Sequence, residues 1–211
     1  MKPPGILLTE TKAYLEEIRG LLVEDIEPTE LSLDRQSELK IRSYCVLSHA
    51  ALEEYFEGVA LWLLDAVTDG FLVGERSKSL LTLVATCTKK MTIETDETVG
   101  EKKSFDYLRP IVAEAKEQLS HTIKENNGIS VKYLRKLYIP LGIDVPPDPT
   151  LKNSLQLLAR YRGDFAHGRI ASKIPSVGDA SSLIADCVEI AESVCRQAEV
   201  LSWRSSHITS L

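Results

Sequence analysis

Apolar residues recur along this chain at three- and four-residue intervals, with charged residues filling the gaps. Leu8, Leu15, Ile18 and Leu22 keep helical spacing, with Glu and Lys between them. A longer periodic segment covers about 34–66. There Ile41, Tyr44, Cys45, Leu47, Ser48, Ala51, Leu52, Tyr55, Phe56 and Val59 form a wide apolar stripe, and Gly70 and Gly74 are expected to break it. A shorter helix is predicted over 78–90, with Leu80, Leu81, Val84 and Cys87 inward. The polar stretch 92–106 lacks a clear period and reads as a loop or insertion. Pro110 fits the first turn of a helix over 110–124, which the following "NNG" ends. Ser130 is placed to cap a short helix carrying Leu134 and Leu137. "LGIDVPPDPT" is a rigid turn, because proline fixes φ and removes amide donors. A helix follows from Leu151 into "LARYRGDFAHGRIASK", with Gly168 as its stop. The last helix, about 179–203, sets Leu183, Cys187, Ile190, Val194 and Leu201 on one face. No stretch alternates like a strand, none repeats at a fixed period, and no Gly/Ser linker divides the chain. The pattern predicts one all-α domain over 1–211, with its core at about 34–203.

Composition narrows the function classes. A formal net charge of −6 argues against a protein that coats nucleic acid non-specifically, yet leaves room for a local basic site. The apolar run Val59–Val67 is interrupted by Asp65 and is too short to span a bilayer. The first residues show no basic leader before an apolar core, so no signal peptide is expected and a cytoplasmic location follows. Cys45, Cys87, Cys187 and Cys195 are widely spaced and form no CxxC pair, which predicts reduced, buried thiols. The histidines are His49, His121, His167 and His207, without HExxH or zinc-finger spacing, so no metal site is expected. Phosphate-binding glycine loops and the GxSxG elbow are absent, and no cofactor is implied.

Two stretches remain for chemistry. In "SHAALEEYFE", His49 and Glu53 stand four apart on one helical face, as do Glu53 and Glu57. Either Glu53 is solvated and His49 lies on the helix surface, or Glu53 sits at the inner edge of the bundle and hydrogen-bonds to a basic residue from another helix. In "RYRGDFAHGR", Arg162 and His167 are five apart, which turns an ideal helix by roughly 500° and leaves them about 140° from each other. A bend near Gly163, a helix end before His167, or two copies meeting at a dimer axis would bring them together. The competing reading makes Arg160, Arg162 and Arg169 a solvated helix C-terminus, where cations complement the macrodipole.

"RGDFAHG" resembles the R-x4-6-H signature of HEPN domains, commonly R-N-x-x-A-H-G, with Arg162, Ala166, His167 and Gly168 matching. "RSYCVLSHAALEEYFEGVALWLL" resembles the first long core helix of the RiboL-PSP branch of that superfamily. "NNGISVKYLRKLYIPLGID" is similar to the connection that precedes the motif there. The resemblance implies an up-and-down helical bundle of HEPN type with extra short helices. It further implies a metal-independent endoribonuclease with a toxin or phage-defence role, acting as a homodimer whose two motifs share one cleft. RNA is then the substrate, and an antitoxin or defence-system protein a possible partner.

Carried over, Arg162 and His167 are the catalytic pair. Gly163 departs from the polar residue that active members carry after the arginine, and Asp164 is the nearest substitute. A neutral imidazole can take the 2′-hydroxyl proton near neutral pH, and a guanidinium can hold the phosphate and its developing charge. Arg160, Arg169 and Lys173 extend a phosphate track, with Glu53 and His49 as further binding residues. The alternative implied by Gly163 and the acidic balance is a non-catalytic HEPN scaffold that binds RNA, a nucleotide or a protein.

Overall fold

The computed structural model describes residues 1–29, 33–88, 104–166 and 174–207. The described residues form helices α1 (Pro4–Leu22), α2 (Arg35–Leu72), α3 (Lys78–Cys87), α4 (Ser104–Lys124), α5 (Val131–Tyr138), α6 (Pro149–Ala166) and α7 (Val177–His207), and a 3-10 turn (Ile139–Leu141) follows α5. No strand occurs among them. The all-α bundle read from the sequence is the fold. None of these helices is long and apolar enough to cross a membrane.

α2 is the axis of the bundle. It begins where the Asp34 side chain accepts from the Ser37 amide at 2.7 Å, a side-chain N-cap. It continues for 38 residues because its apolar stripe faces partners on several sides. α1, α4, α6 and α7 all pack against it. Ile41, Leu52, Phe56, Val59 and Leu63 are fully buried there. Two buried hydroxyls lock the packing: Tyr55 donates to the Ala191 carbonyl on α7 (3.0 Å), and Tyr138 donates to the Phe56 carbonyl (2.7 Å). All four cysteines are buried free thiols, and burial pushes each thiol up from its ordinary pKa.

Several expectations are corrected. Gly70 does not break α2, which runs on to Leu72. Val67, Thr68 and Phe71 are buried around it, and Phe71 stacks on Phe105 with centroids 4.8 Å apart. That packing outweighs a helical glycine's cost of about 1 kcal/mol. The stop comes at Gly74, whose φ of 93° suits glycine. Pro110 is not in a first turn. α4 starts at Ser104, so 104–106 are helical rather than loop, and Pro110 lies inside the helix. Its ring deprives the Asp106 carbonyl of an amide partner, and the Phe105–Phe71 stack helps anchor the turn before it. The rest of the 92–106 stretch lies outside the described residues.

α3 ends at Cys87 and is rotated from its expected face. Ser79, Leu83 and Cys87 are buried, whereas Leu81 is exposed. Ser130 occupies the cap position of α5 but makes no side-chain cap bond. On α7 the buried face runs through Ile184, Cys187, Ile190 and Val194, with Leu183 to one side.

Candidate active site

The site forms where α6 crosses α2. Asp148 caps α6, accepting from the Thr150 amide at 2.7 Å. Leu151, Leu155 and Leu158 then face the core. Arg162 lies seven residues after Leu155, about two turns, so the helix carries this arginine along its own apolar side. Ser154 Oγ donates to Asp186 Oδ2 at 2.5 Å and ties α6 to α7. α6 is helical through Gly163 to Ala166.

α2 supplies the opposing wall. Arg42, His49 and Glu53 are seven and eleven residues apart, which puts them within about 20° of one line along the helix. His49 is 2% exposed, and the Glu53 side chain is 17% exposed, with Oε1 buried and lacking a hydrogen-bond partner among the described residues. These values overturn the reading of a surface histidine and a solvated glutamate. His49 Nδ1 lies 3.7 Å from Glu53 Oε2, too long for a good hydrogen bond.

Electrostatics joins the two helices. Burial, and then the Arg162 charge, lowers the His49 pKa to about 4, so the ring is neutral at neutral pH. Its approach to Glu53 is therefore not an ion pair. Burial and the neighbouring Glu57 raise the Glu53 pKa, while Arg162 opposes the rise. Glu53 thus feels the charge of a basic residue from another helix, but the hydrogen bond expected between them is not among those of the described residues.

The loop after α4 closes the third side. Asn126 Nδ2 donates to Glu57 Oε1 (2.8 Å) and to the Gly128 carbonyl (3.1 Å). Gly128 has φ of 159°. A Cβ there would come 3.5 Å from the Tyr133 ring and 3.8 Å from His49 Nε2, which places this backbone between the two rings. At the other end of the wall, the Arg42 guanidinium lies 4.8 Å from the Phe165 ring centroid, and Phe165 stacks on Tyr161 at 5.5 Å. Arg42 Nε is buried and lacks a hydrogen-bond partner among the described residues. Phe165 beside Arg42, and Arg162 beside His49 and Glu53, set α6 antiparallel to α2.

Of the residues singled out from sequence, Arg162, His49 and Glu53 come together. Arg160 is an exposed side chain whose Nε lies 3.6 Å from Asp164 Oδ2, and Asp164 is mostly covered, at 13% exposure. His167, Arg169, Lys173 and Gly168 lie outside the described residues. Arg42, Asn126 and Gly128 were missed. The spacing of Arg42 with His49 and Glu53 was a usable signal, whereas the loop contacts have no local signature. Among the described residues, no three His, Cys, Asp or Glu side chains gather as a metal-ion set. The arrangement puts a guanidinium against a neutral imidazole and a carboxyl at a half-buried edge, a setting in which a bound anion gains from reduced screening.

A family model described as RiboL-PSP-HEPN matches residues 9–200. No curated protein and no solved structure matches the chain.

Proposed function

The chain belongs to the RiboL-PSP-HEPN family, and on that premise we propose that it is a metal-independent endoribonuclease, a single domain acting as a homodimer in the cytoplasm with a toxin or defence role. His167 takes the proton from the 2′-hydroxyl of RNA. The 2′-oxygen bonds to phosphorus, the P–O5′ bond breaks, and the leaving 5′-oxygen is protonated, giving a 2′,3′-cyclic phosphate and a 5′-hydroxyl. Arg162 holds the phosphate and stabilises the charge of the pentavalent transition state. His49 and Glu53 position Arg162, Asp164 stands in for the polar residue missing at Gly163, and Arg160, Arg169 and Lys173 contact flanking phosphates.

The observation that supports this reading is Arg162 itself. A solvated helix-end cation has no reason to follow Leu151, Leu155 and Leu158 onto the apolar side of α6. This one does, and it reaches the fields of a buried His49 and a half-buried Glu53. A second reading, a scaffold that binds RNA or a protein without cleaving it, is favoured by Gly163, which offers no side chain beside Arg162.

Cleavage of labelled RNA by wild type and His167→Ala, with and without EDTA, separates the two. The nuclease reading expects a wild-type rate unaffected by chelator and a loss of about 10²–10⁴-fold in the variant. Equal rates in both proteins, or RNA binding without cleavage by either, leave the scaffold.

A further inference from the structure

We propose that the exposed face of α5 is a phosphate track that delivers single-stranded RNA to the Arg162 site. The proposal takes the substrate class from the ribonuclease reading and adds a surface to it.

The protein is acidic overall, but α5 is not. From Asn126 to Ile143 the chain holds Lys132, Arg135 and Lys136 and no carboxylate side chain. The nearest acids in sequence are Glu125 and Asp144. Helical periodicity sorts this segment sharply: Val131, Leu134, Leu137 and Tyr138 are buried, while Lys132, Arg135 and Lys136 are exposed. Some surface lysines elsewhere in the molecule have acidic partners, as in Lys2–Glu10, Lys40–Asp25 and Lys116–Asp65. Among the described residues, the three cations of α5 have none. Lys136 instead holds its ammonium 5.7 Å from the Tyr133 ring. Unneutralised cations on one face of an otherwise acidic body mark where a polyanion gains most by releasing its counterions.

The face leads somewhere. A Cβ added at Gly128 would come within 3.5 Å of the Tyr133 ring on α5 and 3.8 Å of His49 Nε2, so this glycine lies between α5 and the His49 ring, which feels the Arg162 charge. The track and the site are therefore separated by one aromatic ring and one glycine. Of the carboxylates at this junction, Glu57 is engaged by Asn126 at 2.8 Å, and Glu53 lies 3.7 Å from His49 under the Arg162 charge. A strand lying along α5 thus reaches the site past a neutral ring and a bare backbone. A half-exposed tyrosine at that point also offers a stacking face to an unpaired base, which suits a single strand.

The test is the salt dependence of RNA binding. Affinity for a single-stranded RNA oligonucleotide is measured by fluorescence anisotropy across a salt series, for wild type and for Lys132→Gln/Arg135→Gln/Lys136→Gln. Three lost phosphate contacts should reduce the log–log salt slope by about 2 and weaken binding at 0.1 M salt by about a hundredfold. The exposed positions predict an unchanged melting temperature. Equal slopes and affinities in the two proteins overturn the track. Polyglutamate that competes as well as RNA of equal charge also overturns it, because the face then suits an acidic protein. A wild type that binds RNA with the full slope yet does not cleave it removes the nuclease reading and leaves the track standing.

Discussion

His49 and Glu53 stand one turn apart on α2, with Nδ1 and Oε2 separated by 3.7 Å, and the single charge of Arg162 acts on both. It lowers both pKa values. For the histidine it adds to burial and holds the ring neutral. For the glutamate it works against burial and Glu57 and favours the ionised form. One guanidinium thus reinforces the effect of burial on the histidine and opposes it on the glutamate.

The first prediction is a pH dependence of stability. His49 titrates near 4 in the folded protein and near 6.5 when unfolded. Below the unfolded value the unfolded chain binds more protons, so stability is lost as pH falls from about 6.5 to 4, by at most ~3 kcal/mol. Glu53, whose pKa is raised, contributes in the opposite direction toward the acid end. Urea unfolding of wild type should show a smaller free energy at pH 5 than at pH 7. In His49→Gln the difference between the two pH values should shrink, and an identical difference would mean that the ring is not buried neutral.

Removing the arginine should be visible at a distance. In Arg162→Ala the His49 pKa should rise toward its ordinary value without reaching it, because burial is the larger cause. Titration of the ring by NMR reads this without reference to any activity. RNA cleavage should fall together with RNA affinity in the same variant. Arg162→Lys should keep part of the affinity and little of the rate, since an ammonium lacks the planar fork of donors.

Assembly is the third expectation. A two-fold homodimer with both Arg162 residues near the axis would supply the shared cleft that the proposed pairing of Arg162 with His167 calls for. Light scattering at micromolar concentration should give twice the mass of the chain. A monomer, or a dimer that leaves the two arginines remote from each other, would contradict it.

The fourth concerns the core. Tyr138 is fully buried, and its hydroxyl donates to the Phe56 carbonyl at 2.7 Å. Tyr138→Phe removes the hydrogen bond and keeps the ring, so it should cost roughly 1 kcal/mol. A thermal melt unchanged from wild type would show that the hydroxyl contributes nothing.

Much of this was legible in the chain. The start of α2, the Ser130 start of α5 and the extent of α7 follow from periodicity and end signals to within a few residues. Arg162 could also be read as inward, since it shares a side with Leu151, Leu155 and Leu158. Gly70 and Pro110 misled, because local propensity is a weak prior and the Phe71–Phe105 stack, a contact between distant segments, outweighs it. The burial of His49 was not legible for the same kind of reason. It depends on the Gly128 backbone and on α6, neither of which lies near it in sequence. The α5 cations were plain in the sequence, but their link to the site runs through Tyr133 and Gly128 and exists only in three dimensions.

At Gly163, a Cβ added to the backbone would meet no described atom within 4 Å, and φ is not in the left-handed region. This is the position that the resemblance to the R-N-x-x-A-H-G signature assigns to a polar side chain. Asparagine also suits a helix better than glycine. Gly163→Asn therefore turns this one position into a dial: a gain in cleavage rate would report what a polar side chain beside Arg162 supplies.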